Sequence, residues 1–391
     1  MRPLRSLALC LLVPAAGCGR APGLPPAATA EPGMPLPGLD APALARFRAG
    51  EALFNTVFLA ETGLGPTFNE NQCSACHTSP ASGGVGGERI LRASRFDAAT
   101  GCDPLEAEGG GNIRRKVTAY AAERGIVRET VPAGAVEGRF TAPALYGLGL
   151  LEAIPDSVLT ALADPDDRDG DGISGRIGRS AGGLAARFGR KADLESIAAF
   201  AAGALHQEMG LTSAGRPRDL AQGREATVGD PAADPEVGTE AVDLLADYVR
   251  LLAPLGRGGP PPGWDSAAVA RGEAAFAEIG CARCHQPELP TGPAAVPALA
   301  GRRVALYSDL LLHDMGPALA DICAPGAAPG EIRTEPLMGL RFRDLLLHDG
   351  RATDPLAAIL AHDGEAARAR AAFQALGERE RAELVAFLNT L

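Results

Sequence analysis

The chain has 391 residues, a formal net charge of −11 at pH 7, 46% hydrophobic residues and only 4% aromatic ones. This length allows two or three domains, and an acidic balance without clusters of Lys and Arg argues against nucleic acid as a partner. Beyond the N-terminal segment, no apolar stretch approaches the length of a membrane span. The 49 glycines and 32 prolines favour a helical protein with long loops.

The first residues have the pattern of an export signal, with Arg2 and Arg5 before a short apolar run. We predict a signal peptide over residues 1–17. Cleavage before Cys18 resembles a bacterial lipoprotein signal and predicts a lipid that tethers Cys18 to a membrane surface; ordinary cleavage near Ala16 or Gly17 is the alternative. Both alternatives predict a periplasmic location. Residues 18–42 are rich in Pro, Ala and Gly, which predicts a flexible tether.

A short internal repeat introduces two similar parts of the chain. Residues 48–54 (RAGEALF) and residues 271–276 (RGEAAF) each place a Gly and, four residues later, a Phe on one helix face. The small residue lets another helix cross closely, and the aromatic ring packs on the same side of the helix. A closing helix is predicted for each part, over residues 240–253 and 378–391.

The two parts are separated by residues 254–263 (PLGRGGPPPG), whose Pro and Gly content is typical of a linker. We therefore predict a mainly α protein with two domains of the same kind, over residues 43–255 and 265–391, joined by a linker at residues 256–264. The first domain is much larger than the second, which predicts a loop-rich insertion within it.

Each repeat leads to a C-x-x-C-H motif, at residues 73–77 (CSACH) and residues 281–285 (CARCH). This pentapeptide is the attachment sequence of c-type haem, in which two thiols form thioethers to the porphyrin and the imidazole binds the iron. A zinc knuckle and a thioredoxin-like dithiol are the alternatives, but no second pair of zinc ligands follows either motif. The predicted residues of two covalently bound haems are Cys73, Cys76, His77, Cys281, Cys284 and His285. Both predicted domains are therefore cytochrome c-like haem domains, in which the Gly and Phe of the repeat allow a close helix crossing and place an aromatic ring near the haem edge. The first domain is too large for a simple cytochrome, as the predicted insertion implies.

An acidic turn lies within the predicted insertion. Asp167, Asp169 and Asp171, followed by Gly172, match the start of a calcium loop of the D-x-D-x-D-G type. The twelfth position of that loop is Gly178, where an EF-hand has a bidentate Glu. The turn is therefore either a Ca²⁺ site or a solvated acidic loop.

Two cysteines of the mature chain belong to no motif and are not lipid candidates. These are Cys102 and Cys323. In an exported protein such a pair forms either a disulfide or two free buried thiols, and the sequence leaves both alternatives open.

The chemistry of each haem depends on its second axial ligand, because an iron with a vacant face can bind a small molecule whereas a six-coordinate iron mainly transfers electrons. Most candidate ligands follow the second motif, so the first haem is predicted to be the open one. Glu208 is our candidate for a proton-transferring group beside it, since cleavage of a peroxide needs one; a surface acid is the alternative. The candidate ligands are His206, His313, His348, His362, Met34, Met209, Met315 and Met338.

Several segments together resemble the di-haem oxidoreductase family. That family is described as peroxidase or thiol oxidoreductase and is distantly similar to bacterial di-haem cytochrome c peroxidases and to MauG. The resemblance covers roughly residues 45–391 and implies the fold and the haem cofactors. The segments are residues 64–69 (LGPTFN), 146–155 (YGLGLLEAIP), 187–192 (RFGRKA), 208–212 (EMGLT) and 307–316 (YSDLLLHDMG).

The resemblance also implies a second ligand for the C-terminal haem. In the bacterial peroxidases a His-Asp-Gly motif is followed about fourteen residues later by that ligand, normally Met; here His348-Asp349-Gly350 is followed by His362. The resemblance thus implies ligation by His285 and His362. Arg190 stands where the family would have Trp, and Trp264 is the only Trp of the chain, so an aromatic path between the haems is not expected.

These features predict a peroxidase-like enzyme that reduces H₂O₂ at the N-terminal haem with electrons relayed through the C-terminal haem. The predicted electron donor is a small cytochrome c or a cupredoxin. A non-catalytic electron-transfer cytochrome is the first alternative and requires His206 or Met209 to close the first site. A MauG-like oxidase acting on a partner protein or on thiols is the second alternative.

Overall fold

The computed structural model describes residues 23–391. The predicted signal peptide and the lipid predicted on Cys18 lie outside the described residues. In residues 23–391 eleven α-helices carry most of the regular structure, so the expected mainly α class is confirmed. The helices are α1 (Ala41–Phe54), α2 (Cys73–Cys76), α3 (Ala119–Ala122), α4 (Leu148–Glu152), α5 (Asp156–Leu162), α6 (Ile197–Met209), α7 (Thr239–Leu251), α8 (Ser266–Glu278), α9 (Pro355–Ala361), α10 (Ala367–Ala375) and α11 (Glu378–Leu388).

The strands are short and form small antiparallel sheets. The largest has three strands in the order β3-β2-β5, and the other pairs are β1 with β4, β6 with β7, β8 with β9, β10 with β11 and β12 with β13. The strands are β1 (Thr67–Phe68), β2 (Arg89–Asp97), β3 (Gly101–Asp103), β4 (Lys116–Val117), β5 (Val136–Thr141), β6 (Gly178–Arg179), β7 (Ala185–Ala186), β8 (Leu220–Ala221), β9 (Arg224–Glu225), β10 (Leu289–Pro290), β11 (Arg303–Val304), β12 (Leu312–Asp314) and β13 (Glu331–Arg333).

The repeated segments open two helices of the same kind. Helix α1 begins at an Asp40 cap, whose side chain accepts from the Ala43 amide at 2.9 Å, and α8 begins at Asp265, which accepts from Ala268 at 2.7 Å. These caps satisfy amides that have no partner within the helix. The predicted closing helices are confirmed as α7 and α11, and they pack against α1 and α8 respectively.

The glycine of each repeat lies where the two helices cross. A Cβ atom on Gly50 would collide with the backbone carbonyl of Leu244 in α7, and one on Gly272 would collide with the carbonyl of Glu383 in α11. The backbones therefore approach more closely than any side chain would permit, as the repeat predicts. The same geometry in both pairs explains why the glycine recurs.

Replacing Gly272 with Ala should destabilise the protein by about 1–3 kcal/mol, because the added methyl group must push α8 and α11 apart. Gly203→Ala is the matched control. Gly203 lies in the middle of α6, and no atom comes within 4 Å of the place that its methyl group would occupy, so Ala there should gain about 1 kcal/mol of helix propensity. Denaturant unfolding measures both changes, and equal effects of the two variants would contradict the close crossing.

Two core clusters account for most of the buried apolar side chains. The larger contains residues from Leu36 to Leu311, and the second contains residues from Val269 to Leu391. Side chains from Leu289 to Leu311 belong to the larger cluster, although they follow the predicted linker. The division into domains at residues 256–264 stays a prediction.

A disulfide joins Cys102 in β3 to Cys323, with Cα atoms 5.7 Å apart and a sequence separation of 221. Of the two alternatives that the sequence leaves open, the structure has the bridge. It connects the three-stranded sheet to the segment between β12 and β13.

The prediction of a flexible tether is wrong for the described part of residues 18–42. The Leu36 amide donates to the Leu251 carbonyl at 2.8 Å, the Ala27 amide donates to the Arg303 carbonyl at 2.8 Å, and the Leu36 side chain is buried in the larger core cluster. Composition suggested a solvated chain, but backbone hydrogen bonds and the buried Leu36 side chain hold this segment to the protein.

None of the helices in residues 23–391 is both long enough and apolar enough to cross a bilayer.

Candidate functional site

The first C-x-x-C-H motif forms the short helix α2, and His77 follows directly. The His77 Nδ1 atom lies 3.0 Å from the Gly84 carbonyl oxygen. Because a carbonyl only accepts, Nδ1 carries the proton and Nε2 keeps its lone pair for a metal. Burial lowers the pKa of His77, which favours this neutral form. The Phe54 ring of the repeat lies 6.0 Å from the His77 ring.

The second motif has the same arrangement on a 3₁₀ helix over Cys281–Arg283. The His285 Nδ1 atom donates to the Tyr307 carbonyl at 3.0 Å, and the Phe276 ring lies 6.3 Å from the His285 ring. Burial, followed by the nearby His362, lowers the pKa of His285 to about 4. Both motif histidines are therefore neutral, oriented and able to bind iron through Nε2.

The motif thiols do not fit a dithiol redox site. Burial raises the pKa of Cys73, Cys76 and Cys281 to about 12, whereas a reactive cysteine needs a lowered pKa. Within residues 23–391, no group of metal-ligating side chains combines both cysteines of a motif, as a zinc knuckle would. Free thiols beside a metal-competent imidazole fit haem attachment better than either alternative.

His362 faces His285 across the second site. The two ring centres are 6.4 Å apart, and the His362 Nδ1 atom donates to the Ala358 carbonyl at 2.7 Å, which leaves its Nε2 free. Imidazoles on opposite sides of a metal, each bonded at about 2.0 Å, have facing nitrogens about 4 Å apart and ring centres somewhat further apart. The pair thus fits two axial ligands of one iron, as the resemblance implies.

His313, another histidine near the second motif, has hydrogen-bond partners on both ring nitrogens. The His313 nitrogens bind Asp309 at 2.9 Å and Glu365 at 2.7 Å. Burial alone would lower the pKa of His313, but the hydrogen bonds to Asp309, Cys284 and Glu365 raise it to about 12. Both nitrogens of His313 therefore have carboxylate partners, whereas the Nε2 atom of His362 has none of this kind.

His348 belongs to the His-Asp-Gly motif, and its ring lies against Asp321. Its Nε2 atom lies 3.0 Å from an Asp321 carboxylate oxygen, and its carbonyl accepts from the Thr141 amide at 3.1 Å. The motif therefore forms a turn against β5. Among the histidines around the second site, His362 is the one whose ring pairs with that of His285 in the part of the chain that the structure describes.

A cavity of about 620 Å³ lies beside the second motif. This volume is in the range of protein pockets that hold cofactors. Cys281, Cys284, His285 and His362 line it, as do Val85 and Gly86, which follow the first motif. The space therefore extends from the second motif to the vicinity of the first.

Glu208, near the end of α6, lies beside the first motif. Its carboxylate accepts hydrogen bonds from the side-chain amides of Asn69, at 2.9 Å, and Asn112. It is close enough to Cys73 and Cys76 that its charge adds to the effect of burial on their pKa values. Glu208 is therefore a partly buried acid near the first motif, and its role in proton transfer stays a prediction.

The environment of Glu208 suits proton transfer. Burial raises the pKa of Glu208, while hydrogen bonds from Asn69 and Asn112 and the charges of Arg92 and Arg114 oppose this shift. A carboxyl with opposing influences of this kind can exchange a proton nearer to neutral pH than an exposed Glu. His206, two residues earlier in α6, has its pKa lowered to about 4 by burial and by Arg114 and Arg216, and its Nδ1 lies 3.4 Å from the Leu211 carbonyl.

The acidic turn brings its three aspartates together, with carboxylate oxygens within 4.8 Å of one another. Asp167 accepts from the Gly172 amide at 3.1 Å, and Asp171 pairs with Arg283 of the second motif at 2.5 Å. Backbone amides and Arg283 already account for the order of the turn, and Gly178 lies in β6. Ca²⁺ at Asp167, Asp169 and Asp171 stays a prediction.

Sequence reasoning missed the residues that orient the proposed ligands and acid. Gly84, Tyr307 and Ala358 act through backbone carbonyls, which carry no side-chain signature. Asn69 lies in a segment that resembles the family, whereas Asn112 lies in a loop without a recognisable motif. Only the folded chain shows that these two amides converge on Glu208.

Each of the two C-x-x-C-H motifs thus has a histidine whose Nδ1 is bound to a backbone carbonyl. A family model described as "Di-haem oxidoreductase, putative peroxidase" matches residues 124–391. This is more than half of the chain, and the chain belongs to the di-haem oxidoreductase family. Membership implies haem cofactors and oxidoreductase chemistry. The matched range includes the second motif and begins after the first.

Solved structures show weak overall similarity. Hydrazine synthase of Kuenenia stuttgartiensis is 14% identical with a TM-score of 0.44, over 100% of both chains. A MauG-like protein associated with microbial copper homeostasis is 13% identical with a TM-score of 0.39, over 94% of this chain and 92% of the other. The diheme peroxidase BthA from Burkholderia thailandensis is 15% identical with a TM-score of 0.43, over 93% and 89%. Curated proteins give no match.

Proposed function

We propose that this protein is a periplasmic di-haem peroxidase with haem attached covalently at both motifs, over two cytochrome c-like domains of which the first is enlarged. The observation that carries the proposal is the asymmetry of the two sites. His285 has a second histidine facing it at 6.4 Å, whereas the described part of the chain pairs no histidine ring with His77 and has a partly buried carboxyl, Glu208, nearby. The second site is suited to relay electrons and the first to bind a substrate.

Reduction of H₂O₂ to two water molecules consumes two electrons and two protons. Haem iron, when bound, supplies the electron transfer and a binding position for a peroxide oxygen. Glu208 accepts the proton of one peroxide oxygen and returns it to the other, so that the leaving oxygen departs as water. Asn69 and Asn112 keep the carboxylate oriented by donating to both of its oxygens.

The second site and the cavity beside it support electron relay. His285 and His362 would hold the iron from opposite sides, and the cavity reaches residues that follow the first motif. Arg190 lines this cavity at the position where the resemblance implies Trp, so electrons would cross without an indole ring. We propose a small cytochrome c or a cupredoxin as donor, and a lipid on Cys18 that holds the enzyme at the membrane surface.

Electronic and EPR spectra of the half-reduced protein test the function. We expect one high-spin haem that changes on addition of cyanide or peroxide, and one low-spin haem that ignores both. Two low-spin haems that ignore both ligands would overturn the peroxidase and indicate an electron-transfer cytochrome. Oxidation of a partner protein without turnover of H₂O₂ by a reduced donor would indicate a MauG-like oxidase instead.

A further inference from the structure

Three arginines surround one glutamate on the wall of the cavity beside the second motif. Glu335 binds Arg190 at 2.7 Å, Arg333 at 2.8 Å and Arg343 at 3.3 Å. All four residues line the cavity together with His285. We call these four residues the arginine cluster. Neither the ligand set nor the proton transfer proposed above uses it.

The arginine cluster carries an excess of buried positive charge. The side chains of Arg190, Arg333 and Arg343 are only 12%, 7% and 10% exposed, so water screens them little. Three guanidinium groups and one carboxylate sum to a net charge of +2. Asp309, whose charge also acts on Arg333, is already bound to the His313 imidazolium. Buried charges of one sign are costly unless an opposite charge joins them.

The arginine cluster keeps its net positive charge at neutral pH. Burial alone would raise the pKa of Glu335, but the charges of Arg190, Arg333 and Arg343 lower it to about 2. Burial lowers the pKa of Arg333 and Arg343. Guanidinium groups nevertheless stay protonated in proteins, so the excess positive charge persists at neutral pH.

Two donors of the arginine cluster are unused. The Nε atoms of Arg190 and Arg343 are buried and have no hydrogen-bond partner. The other nitrogens of Arg343 are occupied by Glu335 and by the carbonyls of Pro336 and Met338. A buried donor without a partner is destabilising, and a ligand with acceptor oxygens would supply the missing hydrogen bonds.

We propose that the arginine cluster binds the two propionate carboxylates of the haem at the second motif. The inference rests on the proposed function in one respect, the presence of haem at residues 281–285. Two carboxylates balance the net charge of +2, and guanidinium groups match the planar geometry of carboxylates. Arg190 thereby has a role of its own: it is a positioning residue for the cofactor.

The test uses the holoprotein with Arg343→Gln, Arg343→Lys and Arg341→Gln. Arg341 is the matched control, because it lies two residues away yet donates to the carbonyls of Gly256 and Leu391. Loss of a positive charge beside the haem should lower the midpoint potential of the second haem in Arg343→Gln and shift its propionate bands in resonance Raman spectra. Arg343→Lys should restore most of the potential, and Arg341→Gln should leave both measurements unchanged.

Unchanged potential and propionate bands in a folded Arg343→Gln protein would overturn the inference. If that variant does not fold, Arg190→Gln makes the same test, since Arg190 lines the same cavity and also binds Glu335. Added phosphate tests whether the arginine cluster binds a free anion instead. If phosphate changes the midpoint potential of the wild-type protein but leaves its propionate bands unchanged, a free anion is the ligand and the inference is overturned. A haem count of one per chain, with residues 281–285 unmodified, would instead refute the proposed function before any potential is measured.

Discussion

Peroxide turnover should fall by about 100-fold or more in Glu208→Gln, because the variant keeps the shape of the side chain but cannot carry a proton between the two peroxide oxygens. Glutamine can still bind one of the two asparagines that hold Glu208, so the fold should tolerate the change. Steady-state turnover of H₂O₂ with a reduced small cytochrome measures the effect. The spectra of both haems should remain those of the wild type.

Glu70→Gln is the matched control for this experiment. Glu70 also lies near the first motif, where its charge acts on Cys76, but it pairs with Lys116 near the surface. Its replacement should leave turnover within about twofold of the wild type, since an exposed ion pair contributes little. Equal losses in both variants, or full activity of Glu208→Gln, would remove Glu208 from the reaction.

The pH dependence follows from the environment of Glu208. Its pKa is raised by burial and lowered by the hydrogen bonds from Asn69 and Asn112. Since only the carboxylate can accept a proton, turnover should fall as the pH drops through this pKa. Asn112→Leu removes one donor that favours the carboxylate, so the acidic limb of the pH profile should move to higher pH. A shift to lower pH would contradict this role of Asn112.

The second haem should become high-spin in His362→Ala, because the variant removes the imidazole that faces His285. Turnover of H₂O₂ should also fall, because the second haem relays the electrons and would lack the ligand from His362. His362→Met should restore a low-spin haem with a higher potential, as His/Met ligation has relative to His/His. EPR spectra and potentiometry of the holoprotein measure both changes.

His348→Asn is the control for the second ligand. His348 is buried and lines the same cavity, but its Nε2 faces Asp321. The low-spin signal should therefore survive in this variant even if stability decreases. Loss of the signal in His348→Asn and its survival in His362→Ala would reverse the assignment.

Local sequence patterns predicted several helices correctly, whereas the attachment of haem to the two motifs stays a prediction. The repeat around Gly50 and Gly272 predicts a close helix crossing, and the helices cross there. The Phe of each repeat lies near the predicted histidine ligand, as expected. These features depend on residues a few positions apart, where helical geometry alone determines which side chains share a face.

For residues 24–36 the amino-acid composition led to a wrong prediction, that of a flexible tether. A segment rich in Pro, Ala and Gly has little capacity for a core of its own, so the sequence predicts a free chain. Its backbone nevertheless pairs with residues near Leu251 and Arg303, which are distant in sequence. Composition cannot report hydrogen bonds to partners that only the folded protein supplies.

By itself the sequence determined the chemistry that lies within a few consecutive residues: the two C-x-x-C-H motifs, their preceding helices and the acidic turn. Only the tertiary structure decided which histidine faces His285, which amides hold Glu208, and that three arginines share Glu335. The physical reason is that the availability of a nitrogen, the pKa of an acid and the balance of buried charge depend on neighbours brought together by folding. The same pentapeptide thus lies in two different electrostatic surroundings.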